Sequence, residues 1–169
     1  MVTTAARGRA WEIAATVPDP ELPMLTLADL GVLAEVEEGG PTVTAWLTPT
    51  YSGCPAVAEM AADVDRRLRA AGYPDVRVRL RLDPPWSTDL ITGEGRRKLA
   101  EAGIAPPGPA SAGPSSPGLL ALGPTRHLVA CPLCGSADTE ELSRFGSTAC
   151  KALWRCRDCR EPFERVKEI

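Results

Sequence analysis

The sequence predicts an α+β fold: a small sheet of three strands, or slightly more, with helices on one face, followed by a C-terminal ribbon built on cysteines. Three observations support this prediction. Three short runs alternate apolar and polar residues, one longer run repeats its apolar residues at helical spacing, and four of the six cysteines form two CxxC pairs. The 169 residues therefore divide into a domain at 1–104, a linker at 105–124 and a ribbon at 125–169.

The first predicted element is a helix over residues 4–16, which ends at Val17 because a residue before proline avoids the helical region. A proline-rich loop follows and carries two carboxylates, Asp19 and Glu21. The simpler interpretation of this loop is a polar turn. A short turn or half helix then carries a third carboxylate, Asp29, close to a glycine.

Two strands are predicted at residues 32–37 and 42–47, and the glycine-rich turn between them makes these strands a hairpin. A helix over residues 55–71 follows. Gly72 is well suited to end this helix, since glycine readily adopts the left-handed conformation found there.

The third predicted strand, residues 76–82, alternates apolar residues with Arg77, Arg79 and Arg81. This arginine row is able to contact an anion, but a solvated sheet face is the simpler explanation. A short helix is predicted over residues 94–102. All three strands thus have one apolar and one polar face, which suits a sheet covered by helices on one side.

Cys54 lies between the second strand and the long helix, and Pro55 follows it directly. Proline is favoured at a helix start, so Cys54 is expected at or next to the N-cap. Unpaired backbone N–H groups there favour a thiolate or a bound anion, which makes Cys54 a candidate nucleophile or metal ligand. The alternative is a small buried apolar residue, as most unpaired cysteines are.

The two CxxC pairs near the C-terminus are the strongest metal-binding signal in the chain. Twenty-one residues separate the pairs, one more than the usual spacing of a zinc site. Two such turns complete a tetrahedral sulfur site for a structural Zn²⁺. The predicted ligands are Cys131, Cys134, Cys156 and Cys159.

Other interpretations of the ribbon remain open. A rubredoxin-like iron site is one alternative, whereas two disulfides fit poorly with a cytosolic protein. Cys150 is a fifth cysteine in this part of the chain, and its spacing allows either a buried residue or an accessory metal ligand. The linker before the ribbon contains only Ala, Pro, Gly and Ser over residues 105–118, so it cannot bury much apolar surface.

Composition excludes several functional classes. Zinc hydrolase sites, Ser-His or Cys-His catalytic dyads and di-iron sites all draw on histidine. The chain has one histidine, His127, which is too few for most of these sites. The usual glycine-rich nucleotide loops are absent. A net charge of −3 predicts no general attraction to nucleic acid. No apolar run approaches a membrane span or a signal peptide, so the expected location is the cytoplasm, with no membrane partner.

Three segments carry a family resemblance: residues 19–23 (Asp-Pro-Glu-Leu-Pro), 29–31 (Asp-Leu-Gly) and 48–55, which includes Gly-Cys-Pro. They resemble the small iron–sulfur-assembly-associated domain shared by SufT-type proteins and a eukaryotic cytosolic iron–sulfur targeting factor. The resemblance implies a fold of that type.

Further segments at residues 51–56, 86–89, 103–107 and 145–156 resemble one branch of that family. This branch is the PaaD subunits of the multicomponent ring 1,2-phenylacetyl-CoA epoxidase of aerobic phenylacetate degradation. The resemblance covers nearly the whole chain and departs mainly in the linker. It implies that the di-iron oxygenase chains and the reductase are other chains and act as partners.

The resemblance also implies a role for individual residues. Cys54 is the family thiol, Asp19, Glu21 and Asp29 lie in the motif loops, and no residue is catalytic. The implied role is maturation or maintenance of the complex's metal centres. If Cys54 holds iron or an iron–sulfur cluster transiently, a homodimer or a client thiol must supply further ligands, because one thiolate cannot enclose a cluster.

Three other functions are alternatives to metal-centre maturation. The first is a structural subunit of the oxygenase assembly. The second is a zinc-ribbon nucleic-acid binder, which the near-neutral charge of the tail disfavours. The third is a thiol enzyme that uses Cys54, which lacks an obvious base in the sequence.

Overall fold

The computed structural model describes residues 8–51, 53–109 and 129–168. The chain divides into two compact units, Met1–Lys98 and Leu99–Ile169. In chain order the elements are α1 (Arg9–Ala15), β1 (Leu33–Gly39), β2 (Thr42–Leu47), α2 (Ala56–Ala70), β3 (Asp75–Leu80), a 3₁₀ turn (Thr88–Leu90), α3 (Gly93–Glu101), β4 (Ile104–Ala105), β5 (Thr139–Ser143), β6 (Lys151–Cys156) and β7 (Pro162–Val166).

The first unit contains the predicted three-stranded sheet, in the order β1-β2-β3. Strands β1 and β2 are antiparallel, which confirms the predicted hairpin. Strands β2 and β3 are parallel, and α2 forms the crossover between them. The parallel pairing places Val43 beside Val76 and Leu47 beside Leu80, so the apolar rows of β2 and β3 share one face.

The core of this unit lies between that face of the sheet and α2. Strand β2 contributes side chains that are fully buried, including Val43 and Leu47. Helix α2 contributes Met60, Val64 and Leu68, which lie four residues apart and so form one stripe along the helix. Burial of each large apolar side chain stabilises the fold by about 1.5–3 kcal/mol. The predicted helix-on-sheet arrangement is therefore confirmed.

The opposite face of the sheet is polar around Trp46. The Arg81 guanidinium lies 4.9 Å from the centre of the Trp46 ring and binds Glu35 on β1 at 2.7 Å. The Arg79 guanidinium lies 5.8 Å from the same ring. These contacts link β1, β2 and the end of β3, so Arg79 and Arg81 cover the tryptophan ring.

The second unit has a four-stranded sheet in the order β4-β7-β6-β5. Strand β4 is parallel to β7, and the other pairs are antiparallel. The predicted linker thus begins inside a strand at Ala105, and from residue 110 to 124 it lies outside the described residues. A buried cluster fills the unit: Ala105, Val129, Cys131, Ala152, Trp154, Cys156 and Phe163. Among the residues that the structure describes, no helix is long and apolar enough to cross a membrane.

Candidate metal centre and thiol site

The four predicted ribbon cysteines converge on one point. Their sulfur atoms all lie within 4.8 Å of one another. The Sγ atoms of Cys131 and Cys159 are 3.8 Å apart, and those of Cys134 and Cys156 are 3.6 Å apart. A tetrahedral Zn²⁺ with bonds of about 2.3 Å to sulfur requires separations of about 3.8 Å between sulfurs. The geometry and the all-thiol donor set therefore fit zinc.

Each CxxC pair sits on a tight turn whose residue after the second cysteine has a positive φ. In the first turn this residue is Gly135, at φ +78°, and its N–H donates to the carbonyl of Cys131 at 2.8 Å. In the second turn it is Arg160, at φ +65°. Glycine adopts this conformation without strain, whereas a side chain makes it costly. Both turns thus have a left-handed residue after their second cysteine, and in the second turn that residue is the strained Arg160.

The thiols of the cluster differ in how readily they lose a proton. A backbone N–H of Cys159 donates to the Cys156 sulfur and lowers the pKa of Cys156 to about 7, despite burial. The backbone N–H of Glu161 favours the thiolate of Cys159, but burial and the neighbouring cysteine sulfurs raise the pKa of Cys159 to about 12. Backbone donors in the second turn therefore favour the thiolate form of both cysteines, and burial opposes it.

The predicted accessory ligand, Cys150, is not a member of this cluster. Its sulfur lies 3.1 Å from the hydroxyl oxygen of Thr148, and its carbonyl accepts a hydrogen bond from Lys167. Within the described residues no disulfide joins any of the cysteines. The structure thus favours the four-thiol metal site over the disulfide alternative.

Cys54 lies one residue before Pro55, the N-cap of α2. The turn around it is held by backbone hydrogen bonds: its N–H donates to Tyr51, and its carbonyl accepts from Val57. The thiol is half-buried. Cys54 is therefore next to the helix start, where the sequence predicts it, and its thiol is partly open to solvent.

An apolar groove of about 530 Å³ lies beside Cys54, between the start of α2 and strand β3. It is lined by Cys54, Val57, Ala61, Val78, Leu80 and Leu82, among others. Leu80 is 50% exposed and Leu82 is 60% exposed. A partner that approaches the Cys54 thiol therefore meets an apolar surface next to it.

Asp19 and its loop form a compact turn. The Asp19 carboxylate accepts hydrogen bonds from the backbone N–H groups of Glu21 and Leu22, at 2.8 and 2.7 Å. Asp19 is buried and Glu21 is half-buried. The polar-turn interpretation accounts for Asp19, because its carboxylate satisfies two backbone donors.

Asp29 fixes the second motif segment. Its carboxylate accepts from the Thr26 N–H at 3.0 Å and binds the Lys98 ammonium at 2.8 Å. Burial alone raises the pKa of Asp29, but these partners outweigh it and hold that pKa below its usual value. Next along the motif, Gly31 has φ +70°, and an added Cβ there would lie 2.6 Å from the Leu90 carbonyl oxygen. This explains why the segment requires glycine.

The structure does not gather the motif carboxylates and Cys54 into one metal site. Among the described residues, the ribbon cysteines are the only group of three or more side chains placed to hold a metal. Cys54 and the predicted loop residues Asp19, Glu21 and Asp29 stand outside that group. Any metal at Cys54 would need ligands from another source.

Two features were not predicted from the sequence. One is the exposed apolar edge at Leu80 and Leu82, since alternation shows which residues share a face but not whether that face is covered. The other is a buried ion pair in the ribbon, in which the Lys151 ammonium lies 2.8 Å from Glu164. Glu164 also accepts from the Ser147 N–H, so this pair holds the loop between β5 and β6.

Two family models match separate parts of the chain. Residues 11–83 match the family model described as "Iron-sulfur cluster assembly protein", and residues 116–167 match the "PaaD zinc beta ribbon domain". Fold and cysteine cluster together define an α+β protein of the iron–sulfur-assembly type that carries a C-terminal zinc ribbon.

A full-length relative identifies the family. The chain is 43% identical over 162 residues to the D subunit of a putative 1,2-phenylacetyl-CoA epoxidase from Escherichia coli (strain K12), and the match covers 94% of this chain and 91% of that protein. The chain belongs to the PaaD family of phenylacetyl-CoA epoxidase subunits. The family resemblance seen in the sequence is confirmed.

Solved structures resemble the chain in part. A domain of unknown function, DUF59, from Bacillus anthracis is 24% identical with a TM-score of 0.49, covering 53% of this chain and 87% of that one. A conserved hypothetical protein from Thermotoga maritima is 25% identical with a TM-score of 0.47, covering 59% of this chain and 98% of that one.

Proposed function

We propose that this chain is a non-catalytic accessory subunit of a phenylacetyl-CoA epoxidase complex that assists the assembly or maintenance of the metal centres of that complex. Cys54 transiently holds iron or an iron–sulfur unit, or contacts the client chain directly. The ribbon holds a structural zinc. The partners are the di-iron oxygenase chains and the reductase, in the cytoplasm.

The position of Cys54 carries this proposal. Its half-buried thiol lies beside an apolar groove and belongs to no metal-holding group within the described residues. A closed four-thiolate site retains its metal, whereas a single thiolate must share its metal with ligands from another molecule. An open thiol next to an apolar surface therefore suits the transfer of a metal to a client better than its permanent binding.

The test is to co-express the epoxidase chains with wild-type protein or with Cys54→Ala and to measure iron in the purified oxygenase. We expect oxygenase iron and activity to fall at least about twofold with Cys54→Ala, because transfer depends on the thiolate. Cys150→Ala is the matched control, since Cys150 is also half-buried. Iron loading and activity that are unchanged by Cys54→Ala would refute the proposal.

A direct measurement separates the two metals. Metal analysis of aerobically and anaerobically purified protein, with Cys54 and Cys156 variants alongside, should find zinc that depends on Cys156. Any iron should depend on Cys54 and be lost in air. Iron that depends on Cys156 would instead indicate a rubredoxin-like ribbon.

A second candidate is a structural subunit of the oxygenase. The exposed side chains of Leu80, Leu82 and Phe145 favour it, since exposed apolar groups are typical of contact surfaces. A stable stoichiometric complex that is insensitive to Cys54 replacement would support this role.

Nucleic-acid binding gains no support from the ribbon. Arg155 and Arg157 both bind Glu140, and Arg157 also lies 3.5 Å from Asp138. Because these guanidinium groups already have carboxylate partners, they are poorly placed to bind phosphates.

A further inference from the structure

Strand β3 is an edge of the first sheet within the part of the chain that the structure describes. The N–H of Asp75 donates to Pro41 and the N–H of Arg81 donates to Leu47, both on the β2 side. Backbone groups of successive residues in a strand point to opposite sides. The N–H and C=O groups of Val78 and Leu80 therefore point away from β2, towards the open edge.

The start of this edge is covered and the rest is open. The outward carbonyl of Val76 accepts a hydrogen bond from Arg69 at 3.2 Å. Beyond it, Val78 and Leu80 have no neighbouring strand among the described residues. An exposed edge strand is a template for an added strand, and proteins usually cover or charge such an edge.

Side chains on the two faces of this edge differ sharply. On the helix side, Val78, Leu80 and Leu82 form one wall of the groove beside Cys54. This wall is apolar and stays half exposed at Leu80. A strand added next to β3 would place every second side chain into that groove.

The other face of the edge carries a row of three arginines. Arg77 binds Asp75 at 3.0 Å and Arg81 binds Glu35 at 2.7 Å, whereas no carboxylate among the described residues pairs with Arg79. Arg79 is exposed and lies over Trp46. Acidic side chains on an added strand would lie directly beside this row.

We propose that the β3 edge binds an extended segment of a partner protein in which acidic and apolar residues alternate. The segment adds a fourth strand, with its apolar side chains in the Cys54 groove and its acidic side chains beside Arg79. This inference rests on the proposed function and deepens it, because it specifies how a client chain is brought next to Cys54. Backbone pairing supplies affinity, and the alternating side chains supply specificity.

A second copy of this chain is a poorer occupant. If two β3 edges paired, the arginine row of one would lie beside the arginine row of the other. Like charges directly opposite each other on neighbouring strands are destabilising. The charge pattern therefore favours an acidic partner over self-association.

The first test uses a defined probe, a fluorescein-labelled octapeptide of alternating Val and Glu, titrated against the full-length zinc-loaded protein. The control peptide alternates Val and Lys. We expect the acidic peptide to bind at least about tenfold more tightly than the basic one, because only its charges complement Arg79. Equal affinity for the two peptides, or no binding up to about 1 mM, would overturn the proposal.

The second test measures amide hydrogen exchange along β3 by NMR. On addition of the acidic peptide, the amide protons of Val78 and Leu80 should become protected. Those of Arg79 and Arg81 should change little, because they already face β2. Protection that shows no such alternation would contradict strand addition.

Two substitutions test separately how backbone pairing and side-chain charge contribute to peptide binding. Leu80→Pro removes an outward N–H without removing a bond to β2, and it should weaken peptide binding at least about tenfold. Arg79→Glu should reverse the preference between the two peptides, which keeps the test valid if the proline variant misfolds. Leu142→Glu is the control: Leu142 is 48% exposed but lies in the other unit, so binding should be unchanged.

The remaining outcomes are also decisive. Concentration-dependent dimerisation in sedimentation experiments that Leu80→Pro abolishes would assign the edge to a second copy and overturn the proposal. Failed peptide binding with a loss of oxygenase iron in Cys54→Ala would refute this inference but leave the proposed function standing. Peptide binding together with oxygenase iron that Cys54→Ala does not change would support this inference and refute the proposed function.

Discussion

The ribbon cysteines and Cys54 are thiols of one chain in opposite situations. Four thiols face one another in the ribbon, two of them buried, with sulfur separations that suit a tetrahedral metal. Cys54 faces an apolar groove and has no such companions among the described residues. A closed site serves stability, and an open one leaves its thiol available to another molecule.

The two units are also held together in different ways. The ribbon has a small buried cluster that includes two of its own predicted metal ligands, Cys131 and Cys156. The first unit is held by packing of α2 on the sheet and by carboxylates that cap its turns. Loss of the metal should therefore destabilise the ribbon and leave the stability of the first unit unchanged.

Metal removal should produce the largest effect. Cys156→Ser, or a strong chelator, should unfold the ribbon, because structural zinc supplies roughly 10–16 kcal/mol of binding free energy in small zinc domains. Amide protection should disappear from β6 and β7 in the full-length protein. It should remain in β2 and α2.

The same experiment tests whether the two units are stabilised independently. If the amides of β2 and α2 lose protection together with the ribbon, then the metal stabilises both units. Cys150→Ser serves as the control, since Cys150 lies outside the cluster, and it should leave zinc content unchanged.

Gly31→Ala should give the next largest effect. The new Cβ would lie 2.6 Å from the Leu90 carbonyl oxygen at a φ of +70°, so the unfolding free energy should fall by about 2–4 kcal/mol. Gly40→Ala is a matched control, because Gly40 has φ +66° with nothing within 4 Å of the added atom. It should cost only about 1 kcal/mol. Equal losses in urea denaturation would show that backbone strain alone matters.

Asp29→Asn should destabilise the first unit by about 1–2 kcal/mol at neutral pH, since it removes the charge that Lys98 and the Thr26 N–H bind. The folded pKa of Asp29 lies below its unfolded value, so this stabilisation is complete above pH 4–5, roughly. It is lost as the pH falls through the lowered folded pKa. The unfolding free energies of wild type and variant should therefore converge at pH values below the lowered folded pKa of Asp29. A gap that is independent of pH would assign the effect to packing.

Arg160→Gly should have a small effect in the opposite direction. It gives the second cysteine turn the residue type that the first has at Gly135, and it should stabilise the zinc-bound ribbon by about 0.5–1 kcal/mol. Gly135→Ala should destabilise the ribbon by a similar amount. Thermal unfolding of the zinc-loaded protein measures both changes, and destabilisation by Arg160→Gly would contradict the strain argument.

Cys54→Ser should have the smallest effect on stability, within about 0.5 kcal/mol, because its thiol is half-buried and outside every metal cluster described. Zinc content should also be unchanged. A large loss of stability would mean that Cys54 is a packing residue. Cys54 would then have a structural role, as the ribbon cysteines have.

Local pattern was enough to predict much of this structure. The alternation at residues 42–47 and the apolar spacing of α2 follow directly from the sequence, as does the four-cysteine cluster. Each of these signals depends on neighbours a few residues apart. The glycine requirement at Gly31 does not, since it arises from contact with Leu90.

Long-range pairing could not be predicted in the same way. Nothing in the sequence of β3 indicates that it lies parallel to β2 with its other edge open. Likewise, the two-residue strand β4 precedes a stretch that looks like a simple linker, and only its partner β7 identifies it as a strand. The hydrogen bonds that the Asp19 and Asp29 carboxylates accept from backbone N–H groups also could not be predicted, because they depend on how each loop folds.

Strand β4 places the start of the Ala- and Pro-rich segment inside the sheet of the second unit. Ala105 and Val129 belong to the same buried cluster, so the segment between them starts and ends in a single unit. In general, each doubling of the length of a flexible connection costs only about 0.6 kcal/mol of closure entropy. The Ala- and Pro-rich segment is therefore a natural place to insert an affinity tag or a reporter domain, whereas cutting the chain at residue 125 would leave the ribbon without its first strand.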